Sequence, residues 1–341
     1  MGVTPVAPAA PARPVPLPPV LAIDAGNSKT DVALIGSDGS VLAAGQAGGF
    51  QPPRTGVAAA VDVLAEALAS AGVPSGAGSG PVAEHVSACL ANADFPVEER
   101  RLADEIERRG WGRATAVHND TFALLRAGLP PGAEPRGVAV VCGAGINCVG
   151  MTPDGRTARF PAVGRISGDW GGGGGLAEEA LWFAARAEDG RGAPTELARA
   201  LPARLGHASM ASLIEAMHLG DVPAGRRHEL APVLFEVADA GDPVALSLVH
   251  RQADEVVAMA VVALGRLGLL AEEVPVVLGG GVLAARHPGL DDRIAAGFAQ
   301  RAPRARITVV TAPPVLGAGL LGLDALGAAA EAHGKLRAHF G

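Results

Sequence analysis

The chain has no tyrosine, its aromatic residues amount to 3%, and only three of its 341 residues are cysteines. Cys89, Cys142 and Cys148 are too few and too unevenly spaced for a disulfide scaffold or a four-cysteine zinc site, and they point to a reducing, cytoplasmic setting. Long apolar runs are missing as well, so no membrane span is expected. No basic cluster stands out, and 28 Lys and Arg against 35 Asp and Glu leave a formal net charge of -7, which argues against nucleic acid as a main partner. An anionic ligand would have to be met by local groups. Residues 1–19 are rich in Pro and Ala, carry only Arg13 as a charge and lack the apolar segment of a secretory signal, so a disordered tail is expected there.

What is present is ample hydrophobic content, 49%, in a chain too long for one small core, and two domains of ordinary size are expected. The stretch Val20 to Ile35 reads as strand, polar turn and strand, with the turn from Asp24 to Lys29. Gly26 would let the backbone approach a ligand, and Lys29 and the Thr30 hydroxyl are donors of the kind phosphate oxygens need. Asp24 at the end of a buried strand is costly unless it serves a metal or a hydrogen-bond network. On these residues alone, a phosphate loop and an ordinary polar hairpin stand level.

Asp38-Gly39 marks a second tight turn, leading to a third antiparallel strand at Val41–Gly45. The loop from Ala47 to Pro53 is expected to be irregular. Val57, Val61, Leu64 and Leu68 share one face of a helix that ends at Gly72, and a Gly-, Ser- and Pro-rich linker follows over 74–81. A strand is expected over His85–Leu90, closing on Ala91-Asn92-Ala93-Asp94, then a charged helix over 97–109 and a short strand over 114–117. His118-Asn119-Asp120 falls where that strand ends and a helix begins. Asp120 is therefore either a site carboxylate outside a strand's carboxyl end or the cap of the helix.

The pattern then recurs. Gly137 to Met151 repeats strand, small-residue turn and strand, and reaches its own Asp154-Gly155 turn, with Cys142 in the slot of Asp24. Two similar lobes facing across a cleft are expected. Beyond them, Gly168-Asp169-Trp170 leads into Gly171–Gly175 and a helix over 176–187. Those glycines are either bare amides that bind an anion at a helix start or a flexible linker, against which Asp169 and Trp170 weigh. A long helix is expected over about 243–267, and His207, His218, His228 and His250 show no helical metal-site spacing. Val274–Leu278 opens onto Gly279-Gly280-Gly281, suited to a flat nucleoside or to a plain turn; a last strand is expected over 306–310 and a closing helix after Pro313.

In combination these motifs resemble the BadF/BadG/BcrA/BcrD ATPase family, and within it the N-acetylglucosamine kinase branch of the actin-like sugar kinases, over about Leu21 to Gly327. The matching segments are Asp24-x-Gly26-x-x-Lys29-Thr30, Asn119-Asp120, Cys142 to Asn147, Gly168-Asp169-Trp170-Gly171 and Leu278 to Val282. The resemblance implies an α/β fold of two actin-like (ribonuclease H-like) lobes: an N-terminal lobe over 20–120, a C-terminal lobe with a helical insertion over 121–315, and a closing helix over 316–341 packed back on the N-terminal lobe. It implies ATP and Mg²⁺ as cofactors. Gly26, Asn27, Lys29, Thr30, Gly143, Ala144 and Gly145 would hold phosphates, Gly279, Gly280 and Gly281 the adenosine, and Asp24 the Mg²⁺ through water. Asp120 would be the base that activates a hydroxyl, most simply O6, of an amino sugar, with Gln51, Asn119, Asn147, Gly168 and Asp169 around that sugar. Kinases of this type are often homodimers. The same family includes ATP-driven activators of acyl-CoA dehydratases, whose cysteine-held iron–sulfur cluster Cys89, Cys142 and Cys148 do not match. Four positions depart from the family pattern: Ala144 and Ile146 replace hydroxyl residues of the second loop, Gln51 stands where Asn is common, and Val163 stands where some relatives place Trp.

Overall fold

The structure is a computed structural model that describes residues 17–76 and 80–341. The expected tail lies outside the described residues as far as residue 16, and so do residues 77–79 of the expected linker. The end of that tail is ordered instead, because the carbonyls of Pro18 and Pro19 accept the amides of Glu84 and His85.

Among the described residues, ten strands form two sheets. The first holds β1 (Val20–Ala25), β2 (Thr30–Ile35), β3 (Val41–Ala47), β4 (Ala83–Leu90) and β5 (Gly112–Asn119), in the order β3-β2-β1-β4-β5. The second holds β6 (Gly137–Cys142), β7 (Ile146–Met151), β8 (Thr157–Arg159), β9 (Val274–Gly279) and β10 (Ala305–Val309), in the order β10-β9-β6-β7-β8. In each sheet the first three strands run antiparallel, and the last two lie parallel to the first. The repeat in the sequence is thus a repeat of topology. Its register differs by one residue from the sequence reading: Cys142 pairs with Ile146 at the hairpin end, the place of Ala25 opposite Thr30, so the counterpart of Asp24 is Val141.

The apolar runs explain the sheets. All six residues of β1 are buried, as befits a central strand covered on both faces. On one side of the first sheet Leu21, Ile23, Leu64, Leu68, Leu102, Ile106 and Trp111 pack together, each such side chain contributing about 1.5–3 kcal/mol by leaving water. On the other side lies the helix Pro314–Ala325, whose Val315, Leu316 and Leu320 join Val20, Ala22 and Ile35. The closing segment is two helices rather than one, with Ala330–Phe340 following it. The helix Asp120–Gly128 is shared between the lobes: Ala123 and Ala127 belong to the first sheet's core, while Phe122, Leu125 and, just past the helix end, Leu129 pack on Ala139, Val149 and Val277 of the second. Gly317 allows the two helices to touch, since a Cβ there would lie 1.8 Å from the Ala123 carbonyl oxygen.

The long helix Pro243–Leu267 begins at Asp242, which accepts the amides of Val244 and Ala245, and ends at left-handed Gly268. Between Ala47 and Pro53 the expected irregular loop is partly ordered: β3 runs on to Ala47, and Pro52–Thr55 forms one helical turn.

Candidate active site

The carboxyl ends of β1, β4 and β5 and the turn between β6 and β7 converge on one cleft of about 360 Å³. Among its walls are Asp24, Gly26, Asn27 and Lys29 from the first lobe, Asn119 and Asp120 where β5 meets its helix, and Gly143, Ala144, Gly145, Asn147 and Gly280 from the second lobe. Lys29 and Asp120, about ninety residues apart in sequence, therefore share one crevice.

The first turn is tied down by its surroundings. Gly26 donates to the Lys29 carbonyl at 2.8 Å, and Phe50 donates to the Gly26 carbonyl at 2.9 Å. Asn92, held at a φ of 61°, donates from its side chain to Asn27 Oδ1 and to the Phe50 carbonyl. Two expected ligand contacts are drawn into this bracing. The Thr30 hydroxyl is fully buried and donates to the Gly48 carbonyl at 2.9 Å, so Thr30 holds the hairpin and does not face the cleft. Gln51 lies outside the cleft wall; its amide donates to the Asn27 carbonyl at 2.9 Å and its Oε1 accepts from Arg54. Lys29 remains exposed, with its Nζ 2.7 Å from Asp31 Oδ2.

The second turn is tied down differently. The expected linker or anion site at Gly171–Gly175 is neither, because the helix starts inside the glycines, at Gly172, and runs to Glu188. Its first three amides are taken: Gly172 donates to Gln252 Oε1 at 2.9 Å, Gly173 to the Gly143 carbonyl at 2.7 Å and Gly174 to the Ala144 carbonyl at 2.9 Å. Glycine is required here, since a Cβ on Gly172 would lie 2.5 Å from the Gly145 backbone, at a φ of 73°. With its carbonyls turned to that helix and Gly143 donating to Gly145, the loop keeps the amides of Ala144 and Gly145 without a partner among the described residues. The loop's shape thus rests on backbone alone, which is why it stands without the two family hydroxyls.

At the third glycine turn only Gly280 reaches the cleft; it takes a φ of 86°, and a Cβ on it would strike the Cys142 carbonyl. Gly279 lies over Leu124, and Gly281 opens a short helix. Gly168 and Asp169 do not join the cleft wall. Asp169 Oδ2 accepts the Gly164 amide and the Ser167 hydroxyl, which commits it to the turn Gly164–Ser167.

The floor is a set of carboxylates. Asp120 is the first helical residue, and the cap is Asn119, whose Oδ1 accepts the Thr121 amide at 3.0 Å. Burial pushes Asp120 up to about 6. Asp24, 6% exposed, is raised well above the carboxylate range by burial and then by Asp120 and Asp31, with Lys29 opposing. No described residue donates a hydrogen bond to the Asp24 carboxylate, and among the described residues no cluster of three or more His, Cys, Asp or Glu could cage a metal. A buried, donor-poor carboxylate in the same cleft as the unpartnered amides of Ala144 and Gly145 fits a cation that keeps most of its water, as Mg²⁺ does. Asp94 was not anticipated. It lines the cleft from the loop after β4, and burial, Asp120 and Glu98 push it up to about 7. The rule that singled out Asn119-Asp120, a loop at the carboxyl end of a parallel strand, applies equally to Asn92 and Asp94 after β4. All three cysteines are buried and free, with no thiol offered to a surface cluster.

Duplicated sheets, one glycine-turned hairpin from each lobe and an acidic cleft between them define a two-lobed actin-like α/β protein. The profile of the BadF/BadG/BcrA/BcrD ATPase family matches residues 21–322, and the chain belongs to that family. It is 27% identical over 243 residues to the N-acetyl-D-glucosamine kinase of Dictyostelium discoideum, covering 70% of this chain and 75% of that protein. Over 182 residues it is 30% identical to the N-acetylmuramic acid/N-acetylglucosamine kinase of Clostridium acetobutylicum, covering 52% of this chain and 57% of that protein. Its fold matches that of a Chromobacterium violaceum protein described as a candidate N-acetylglucosamine kinase, with a TM-score of 0.66 at 24% identity, over 90% of this chain and 99% of the other.

Proposed function

We propose that the chain is an ATP-dependent kinase that phosphorylates O6 of an amino sugar, N-acetylglucosamine before glucosamine and other hexosamines. The observation that carries the reading is the meeting of Asp120 with Lys29 and the bare amides of Ala144 and Gly145 in one cleft. The names of the two sequence relatives support the choice of sugar.

Phosphoryl transfer needs charge neutralised and reactants aligned more than it needs covalent chemistry from the protein. The amides of Ala144 and Gly145 and the Lys29 ammonium would hold the β- and γ-phosphates, with Gly280 leaving room for the nucleoside. Asp24 would hold Mg²⁺ through water, and the bound ion supplies positive charge at the phosphates. Asn119 and Asn147 would orient the sugar. Asp120, ionised near neutrality, would accept the proton of the attacking hydroxyl as the γ-phosphorus to β-γ bridging oxygen bond breaks and ADP leaves. Activity is therefore expected to rise with pH through an apparent pKa at or below about 6, because the base works only when ionised.

The test is a panel of amino sugars and hexoses incubated with ATP and Mg²⁺, following ADP release and locating the phosphate by NMR. N-Acetylglucosamine 6-phosphate is the expected product, and Asp120→Asn is expected to lose about 10²–10⁴-fold in kcat. A panel without turnover overturns the reading. Turnover by Asp120→Asn within a few-fold of wild type removes Asp120 from its role.

A further inference from the structure

Asp94 is held as a ligand-facing group would be. Its amide donates to Glu98 Oε2 at 3.0 Å, and Arg159, reaching over from β8 of the second lobe, donates to the carbonyls of Ala93 and Asp94 at 3.0 and 3.5 Å. Its side-chain Oδ1 accepts Asn119 Nδ2 at 2.9 Å. That bond is one link of a directed chain. The Cys148 amide donates to Asn147 Oδ1 at 2.7 Å, and Asn147 Nδ2 donates to Asn119 Oδ1 at 3.1 Å. Because the chain begins at a backbone donor, each amide in it has one orientation, and an acceptor is required where Asp94 Oδ1 stands. Asp94, Asn119 and Asn147 all line the cleft, next to Asp120.

The other oxygen is different. Asp94 Oδ2 accepts no hydrogen bond from the described residues and is not sealed from solvent. An immobilised carboxylate with one oxygen committed to the scaffold and one open in a sugar-sized cleft is an acceptor waiting for a hydroxyl. We propose that Asp94 is a further substrate-binding residue, whose Oδ2 accepts a hydrogen bond from a sugar hydroxyl neighbouring the one that is phosphorylated. This rests on the sugar-kinase reading given above. Burial and the nearby acids leave Asp94 short of donors, which a bound hydroxyl would relieve.

The variant Asp94→Asn keeps the acceptor toward Asn119 and replaces Oδ2 with a nitrogen that donates and cannot accept. Wild type, Asp94→Asn and Asp94→Glu would be assayed as full chains with N-acetylglucosamine and with its 3-deoxy and 4-deoxy analogues. Binding of a fluorescent ATP analogue without sugar would be measured alongside. The expected result for Asp94→Asn is a KM for the parent sugar raised about 10- to 100-fold, kcat within about threefold, and nucleotide affinity within about twofold. With one of the two deoxy analogues, wild type and Asp94→Asn should converge to within about threefold, because the hydroxyl that Oδ2 would accept is gone. An equal loss on every analogue, a fall in kcat at constant KM, weakened nucleotide binding, or wild-type behaviour of the variant each overturns the proposal. If wild type turns over none of the sugars, the function proposed above fails and this inference falls with it; a fully active wild type beside an unaffected Asp94→Asn overturns this inference alone.

Discussion

The two hairpins that meet at the cleft share a topology and divide the labour. In the first, the penultimate pair is Asp24 opposite Asp31, Lys29 stands in the turn, and side chains of Asn92 and Gln51 brace the loop from outside. In the second, the same pair is Val141 opposite Asn147, the turn carries no charge, and a helix start made of glycine amides braces it. On the function proposed above, a duplicated unit would provide charge on one side of a polyphosphate and neutral donors on the other. Charge can be placed with few atoms, but it costs desolvation, as the raised Asp24 shows. Amides cost less to bury, but they must be aimed, and aiming them requires a rigid partner.

That contrast can be broken first at Asp24. Asp24→Asn is expected to reduce kcat/KM by about 10³-fold, the several kcal/mol of transition-state stabilisation that a lost cation represents. The same change should stabilise the ligand-free protein. Asp24, Asp94 and Asp120 have folded-state pKa values above their ordinary ones, so the stability each lends is present at low pH and is lost as pH rises, for Asp120 and Asp94 through about 6 and about 7. Melting curves at pH 5 and pH 8 should show a smaller drop for Asp24→Asn than for wild type, and a higher Tm for the variant at pH 8. An equal drop in both would mean that Asp24 carries no uncompensated charge.

The second hairpin should yield to a single methyl group. Gly172→Ala places a Cβ 2.5 Å from the Gly145 backbone at a left-handed φ, at a cost of about 2 kcal/mol or more. Because the helix start aims the Ala144 and Gly145 amides, kcat/KM for ATP should fall by about 100-fold, more than the change in stability accounts for. Steady-state kinetics beside a urea titration separates the two effects. A variant that is merely less stable would show that the loop does not depend on the helix.

The smallest effect is expected at Ala144, which is exposed at the turn. Ala144→Thr restores a family hydroxyl and should change the KM for ATP by less than about threefold, since amides already supply the donors. An improvement beyond tenfold would show that the backbone cradle is incomplete.

Much of this arrangement is legible in the sequence. Hairpin signals, the internal repeat and the helix over 243–267 are local patterns, and the structure has that helix at Pro243–Leu267. The position of Asn119-Asp120 after a strand leaves a site carboxylate and a helix cap open; the family resemblance points to the first, and the structure has both residues on the cleft wall. What misled was competition for polar groups. Thr30 and Gln51 have the chemistry of ligand contacts, but Gly48 and Asn27 claim them; Asp169 is claimed by its own turn. Five glycines in a row leave a helix start and a linker open; Gly172 to Gly175 are helical, and the backbone of Gly145 leaves no room for a side chain on Gly172.

From its residues alone, the chain's strands, turns, duplicated plan and family membership follow, because periodicity and turn chemistry act between neighbours a few positions apart. Which oxygen or amide faces the ligand was decided by folding. A hydroxyl or carboxylate goes to whichever partner the fold brings within about 3 Å, and partners such as Gly48 for Thr30, Asn119 for Asp94 and Gly143 for Gly173 come from segments that sequence does not mark as adjacent.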